Sequence, residues 1–234
     1  MTDAPLWSQI ADALRADLSA IAPGTKLPTE AQLAARFGVN RHTIRRALAA
    51  LTEEGLVHTR RGAGVFAALR PLDYPLTRRP RFHAALSATG RMPGRRVLDL
   101  QSLPADAEMA ALLDVPEGAP ILRLEGLSLS EGTVIGHFCA TFPPARVPGL
   151  EAALRANTSI TAALAACGVQ DYARDWTRLT ALRASRLLAQ HLHLAPGDPV
   201  LRSEALSRDA QGRPIEHAIT HFAGNRISLL VKPE

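Results

Sequence analysis

The pattern that most constrains this chain is a repeat. Residues 120–128, Pro-Ile-Leu-Arg-Leu-Glu-Gly-Leu-Ser, return 79 positions later at 199–207 as Pro-Val-Leu-Arg-Ser-Glu-Ala-Leu-Ser. The same offset pairs Gly118 with Gly197 and Leu103 with Leu182, and an offset of 80 pairs Gly132, Ile135, His137 and Phe142 with Gly212, Ile215, His217 and Phe222. Each copy reads as a helix (105–113 and 184–192), a Gly-Pro turn, a strand, a turn and a second strand. Ile121, Arg123 and Glu125 alternate with Leu122 and Leu124, so they fall on opposite faces of a strand. Turns at Glu131-Gly132 and Ala210-Gln211-Gly212 then reverse the chain into antiparallel partners. Two copies are too few for a solenoid. They predict one antiparallel sheet with helices packed on it, an α+β domain.

The N-terminal third has a different texture. Between residues 70 and 80, Pro71, Pro75 and Pro80 interrupt any helical pattern, and the segment reads as an extended linker. The expected division is therefore 1–70, a linker at 71–80, and a second domain at 81–234.

Within 1–70 the helical signals are ordered. Leu6, Ile10, Leu14 and Leu18 mark the apolar face of a first helix over 6–20. Thr29 with Gln32 forms a capping box at the start of a short helix ending near Phe37, and Gly38-Val39 makes a tight turn. Asn40 caps a third helix from Arg41 to about Glu54, whose buried stripe is Ile44, Ala47, Leu48 and Leu51. Arg41, Thr43, Arg45 and Arg46 lie mainly off that stripe, near the N-terminal end. A recognition helix needs this arrangement: one face held by the domain, the other free to enter a major groove. Arginine suits guanine edges and threonine suits phosphate or a thymine methyl. After Gly55 a hairpin follows, with strands at 56–59 and 65–68. Arg60 and Arg61 charge its tip, and Gly62 and Gly64 allow close approach to a phosphate. The element order is that of a winged helix-turn-helix, and the expected partner is double-stranded operator DNA.

Composition agrees with a globular intracellular protein. Hydrophobic residues are 47% and charged residues 21%, with a net charge of +5 supplied almost wholly by arginine. The start of the chain lacks a signal-peptide pattern and no apolar run is long enough to span a bilayer, so a cytoplasmic protein with no membrane partner is expected. Cys139 and Cys167 lack metal-ligand spacing and are expected to be reduced core residues. No nucleophile–base pair, phosphate loop or metal triad stands out, so no catalytic residue, metal or cofactor is assigned. His217 and His221 lack a third ligand, and His191-x-His193 on a helix does not share a face.

Residues 27–66 carry Leu-Pro-Thr-Glu-x2-Leu-Ala-x3-Gly-Val-Asn-Arg-x-Thr-Ile-Arg-x-Ala-Leu, then Gly-Leu-Val-x3-Arg-Gly-x-Gly-x-Phe. This resembles the GntR family of bacterial regulators, with Thr29 and Asn40 where that family usually has serine. The second part resembles the effector (UTRA) domain of the HutC subfamily, which implies a chorismate-lyase-like fold. Asp73-Tyr74-Pro75-Leu76, Arg81-Phe82 and Thr177-Arg178 look most like regulators of the PhnF type, which act in phosphonate metabolism.

The resemblance implies a small-molecule pocket over the sheet and a homodimer. Arg81 and Arg178 are the arginines it offers an anion, and Phe82 follows Arg81. Residues 82–89 read as a helix, whose N-terminus would favour an anionic ligand. From the strand pattern, Arg123, Glu125, His137, Glu216 and His221 complete the candidate effector set. Relatives carry arginine where Glu125 and Glu204 stand here, and two glutamates in the pocket would oppose an anion. The expected function is a ligand-responsive, DNA-binding repressor of a metabolic operon, with phosphonate metabolism as first choice. A sugar phosphate or a histidine-pathway metabolite is the alternative effector, and a lyase-like enzyme the alternative class.

Overall fold

The computed structural model describes residues 4–21, 24–60, 62–68, 71–78, 82, 86–87, 90–157 and 159–231; the side chain of Arg60 is not among them. The chain forms two compact units, Met1–Pro71 and Leu72–Glu234.

In the first unit, α1 (Leu6–Ala20) buries Ile10, Ala11 and Leu14. Helices α2 (Glu30–Phe37) and α3 (Arg41–Glu53) follow, and β1 (Val57–Arg60) pairs antiparallel with β2 (Gly64–Ala67). Leu33, Ile44, Ala47 and Leu51 have no exposed surface and join the α1 residues in one core. Burying each large aliphatic side chain contributes about 1.5–3 kcal/mol. The hairpin strands sit one residue from their expected places, because Arg60 still pairs with Gly64. Lys26 adds an antiparallel bridge to Phe66, a third strand fragment beside the wing.

The second unit is built on a six-stranded antiparallel sheet in the order β4-β5-β6-β9-β8-β7. The strands are β4 (Pro93–Pro104), β5 (Pro120–Ser130), β6 (Thr133–Phe142), β7 (Tyr172–Arg183), β8 (Pro199–Asp209) and β9 (Pro214–Ala223). The repeat is visible in this order. One copy supplies β4-β5-β6, the other β7-β8-β9, and the copies join where β6 pairs with β9. Each copy therefore begins one strand earlier than the sequence pattern indicates, at β4 and β7. These edge strands alternate weakly because both of their faces are largely exposed.

Helices α4 (Ala107–Leu113) and α7 (Arg186–Leu192) are repeat partners on one face, packed with Ile121 and Leu206, and with Leu127 and Val200. Both begin two residues later than expected. The side chains of Asp106 and Ser185 accept from the amides of Met109 and Leu188, which fixes the helix starts. Two arginines eighty positions apart hold their C-terminal ends. Arg146 donates to the carbonyls of Leu113 and Asp114, and buried Arg226 to those of Leu192 and His193. These carbonyls are left over when a helix stops, and a guanidinium satisfies several at once.

The other face carries α5 (Leu150–Ala156) and α6 (Ile160–Ala166) over Leu122, Leu124, Phe138, Ala140 and Phe142. The segment expected as a linker behaves differently. Leu72–Pro75 forms β3, paired in parallel with β10 (Ile227–Leu230), and Leu72 and Tyr74 are buried there. The prolines make this stretch extended, and its apolar residues tie it into the second unit. No helix among the described residues is long and apolar enough to cross a membrane.

Candidate DNA interface and effector cavity

The capping box is present in full. The Gln32 amide donates to Thr29 Oγ1 (3.3 Å) and the Thr29 amide to Gln32 Oε1 (2.8 Å). Asn40 Oδ1 accepts from the Thr43 amide (2.8 Å) and the Thr43 hydroxyl (3.0 Å), which sets the first turn of α3. With Ile44, Ala47, Leu48 and Leu51 buried, Arg41, Arg45 and Arg46 are exposed on the outer face. Arg45 grips Glu30 on α2 through two hydrogen bonds, of 2.8 and 3.3 Å, and Arg46 stacks over the Trp7 ring at 4.7 Å. Arg45 holds the Glu30 carboxyl below its usual range, and Arg41 adds to the effect. At the wing, Gly62 and Gly64 have φ of 75° and 112°, a region that favours glycine. Arg61 lies outside the described residues.

A cavity of about 120 Å³ lies on the sheet face that carries α5 and α6, smaller than the roughly 300–1,000 Å³ of drug-sized sites. Tyr74 and Phe82 close one side, the start of α6 another, and β4 to β9 supply the floor. Its polar groups include two copies of one cross-strand pair. Arg95 on β4 faces Ser128 on β5, and Arg174 on β7 faces Ser207 on β8, each 79 positions from its counterpart. Arg95 Nη2 donates to the carbonyls of Leu154 and Asn157 at the end of α5. Its Nη1 is buried and has no partner among the described residues. Burial lowers the Arg95 pKa. Arg174 donates to the Thr77 carbonyl at 3.1 Å.

Glu216 on β9 completes the polar set. It is only 6% exposed and accepts from the Ser207 hydroxyl at 3.3 Å. Burial pushes its carboxyl above the ordinary range, against the pull of Arg174 and the Ser207 hydroxyl. Tyr172 bonds Thr161 hydroxyl to hydroxyl at 3.1 Å, and burial raises its phenol well above its usual range.

Of the expected effector residues, Phe82 and Glu216 line this cavity. Arg81 lies outside the described residues, as does most of 82–89. Arg123, Glu125, His137, Arg178 and His221 stand on the opposite sheet face. Strand alternation is the reason: they interleave with Leu124, Phe138, Thr220 and Thr177, which point to the other side. There Arg123 donates to Cys139 Sγ (3.0 Å), and Glu125 bonds His137 (2.8 Å). Glu204 is gripped by Arg202 (2.9 Å) and His217 (3.1 Å), with Arg178 at 3.6 Å. The Arg202 and His217 bonds lower the Glu204 carboxyl despite its desolvation. The two glutamates expected to oppose an anion are thus outside the cavity. Burial, helped by His137 and Arg202, lowers the His221 pKa.

Residues 6–67 match the model of the bacterial regulatory proteins of the gntR family, and residues 88–228 match the UTRA domain. The chain belongs to the GntR family and carries a UTRA domain. It is 37% identical to an HTH-type transcriptional regulator of Rhizobium meliloti, covering 97% of this chain and 94% of that one. It is 34% identical to the probable transcriptional regulator PhnF of Escherichia coli, over 84% and 82% of the two chains. The crystal structure of PhnF from Mycobacterium smegmatis superposes with a TM-score of 0.67 at 26% identity, covering 96% of this chain and 99% of that one. The chain is accordingly a DNA-binding transcriptional regulator of the HutC/PhnF type.

Several residues of this regulator at or near the two sites carry only weak signals in the sequence. Arg95 and Arg174 sit on strands with little alternation, but their offset of 79 marks them as repeat partners. The α5–α6 pair was legible in Ser159 as a cap and in the spacing of Leu150 and Leu154, then Ile160, Ala163 and Leu164. Lys26 packs along Gly64, where an added Cβ would lie 3.0 Å from Lys26 Cε, so it belongs with the wing.

Proposed function

We propose that this regulator is a homodimeric repressor whose operator affinity is set by a small acidic metabolite bound in the cavity. The observation that carries the reading is Arg95. A guanidinium with a buried, unpartnered Nη1 needs an acceptor, and a ligand carboxylate, phosphate or phosphonate would supply it. Arg174 lies at the opposite edge of the sheet, beside Glu216, and Glu216 accepts from a hydroxyl or amine at the other end of the ligand. A phosphonate-like compound is the first choice, resting on Arg95 rather than on Arg178, which stands on the opposite sheet face.

On the DNA side, Arg41 and Thr43 with Arg45 and Arg46 read the major groove. Thr29, Arg60, Arg61, Gly62 and Gly64 meet the backbone. Two copies give a near-palindromic site its two half-sites. Binding of the effector changes operator affinity only by favouring one arrangement of the protein over another. The cavity serves sensing and not turnover.

Calorimetry with phosphonates, phosphate, sugar phosphates and imidazole metabolites tests this directly. An acidic ligand should bind the parent and bind Arg95→Gln at least tenfold more weakly. If only neutral or cationic ligands give heat, the acidic reading fails. Light scattering should give twice the 25.1 kDa chain mass at micromolar concentration.

A further inference from the structure

We propose that Glu125, His137 and His191 form a binding site for one divalent transition-metal ion of the zinc type, on the sheet face opposite the effector cavity. The inference stands apart from the effector reading. One ligand atom from each residue lies within 4.8 Å of the other two. The residues come from three elements, β5, β6 and α7, so their convergence is tertiary and cannot be read from spacing. His137 Nε2 is 2.8 Å from Glu125 Oε1, and the rings of His137 and His191 stack with centroids 4.8 Å apart.

Two imidazoles and a carboxylate are a donor set that suits zinc, cobalt or nickel better than calcium or magnesium, which prefer oxygen alone. An ion about 2.0–2.2 Å from each ligand would hold the ligand atoms roughly 3.4 Å apart. The Glu125–His137 contact then opens by about 0.6 Å and His191 swings in by at most about 1.4 Å, both within reach of side-chain rotation. All three residues are half-buried, which leaves a further coordination position for water.

The cations around the cluster have partners of their own. Arg123 approaches Glu125 through the other carboxylate oxygen, at 3.9 Å, and gives its Nε to Cys139. Arg202 is held by Glu204. His221 faces His137 across the β6–β9 seam with ring centroids 6.3 Å apart, and its buried Nδ1 has no partner among the described residues. A bound ion would pin the last turn of α7 to β5 and β6.

Zinc titration of the full chain without DNA, by equilibrium dialysis and thermal melting, tests the site. We expect one ion per chain and a melting temperature that rises with zinc. Binding should weaken at least tenfold in His191→Ala and in Glu125→Gln, the second of which keeps the side-chain shape. His42→Ala, on the DNA-binding unit, should bind as the parent does. The proposal is overturned if the parent takes up no zinc, or if both variants bind it as tightly as the parent.

Discussion

Arg45 on α3 and Glu30 on α2 clasp each other, Nη2 to Oε2 at 2.8 Å and Nε to Oε1 at 3.3 Å. The clasp orients an exposed guanidinium beside the N-terminal turn of the recognition helix. In the proposed readout, Arg45 would have to leave this carboxylate to reach a base.

Substitution at these two positions should therefore act in opposite directions. Arg45→Ala should weaken operator binding on the order of tenfold or more and flatten the preference for operator over random DNA. Glu30→Gln should strengthen binding to both DNAs, because a negative charge beside the phosphates is gone. Both variants should melt with the parent, since exposed ion pairs contribute little to stability. A gel-shift titration against operator and scrambled duplex separates these outcomes.

Ile44→Ala should unfold the DNA-binding unit more readily without touching the outer face of α3. Ile44 has no exposed surface, and emptying such a position costs about 2–5 kcal/mol. A denaturant titration followed by circular dichroism would measure it. A cost below about 0.5 kcal/mol would contradict the assigned core.

Gly126→Ala should damage the cavity from behind. Its added Cβ would lie 2.7 Å from the Arg96 carbonyl oxygen and 2.8 Å from the Phe138 ring, and Phe138 lines the cavity. Overpacking of this kind costs about 1–3 kcal/mol. The variant should both melt lower and bind effector more weakly, whereas Gly132→Ala, at an open turn with φ 74°, should only melt lower.

Glu216 gives stability a definite dependence on pH. Its folded-state pKa lies above the ordinary value, so the folded chain keeps a proton that the unfolded chain releases. Stability should then fall as pH rises from about 4.3, the ordinary glutamate value, through the raised folded-state pKa. Glu216→Gln should remove this slope and melt above the parent at pH 8, with the difference closing near pH 4. Parallel melting curves for the two proteins across that range would refute the assignment.

Much of this molecule was legible in the chain. The caps at Thr29 and Asn40, the stripe of α3 and the glycines of the wing are local signals, and local signals survive folding. The repeat foretold the sheet because cross-strand partners must match in kind. The site was harder. Alternation along β5 and β8 separates Arg123 from Leu124 and Arg202 from Ser203, but both faces carry helices and it does not say which will hold the cavity. That choice was made by α5 and α6, whose packing on Leu122, Phe138 and Phe142 depends on residues tens of positions apart. The strand made by Leu72–Pro75 likewise depends on a partner at the far end of the chain.

The duplicated frame also gives the cavity a direction. Ser128 faces Gly136 in one half and Ser207 faces Glu216 in the other, and Gly136 and Glu216 are eighty positions apart. Gly136 admits no side chain without displacing Phe222, whose ring would lie 3.2 Å from an added Cβ. One arm of the groove therefore ends in an arginine with a vacant donor, and the other in an arginine beside a carboxyl. The counterparts Phe138 and Ala218, and Ala140 and Thr220, differ as well, so a few residue differences between two copies of one motif are enough to turn a symmetric cradle into a polarised one, in which a molecule with unlike ends would settle one way round.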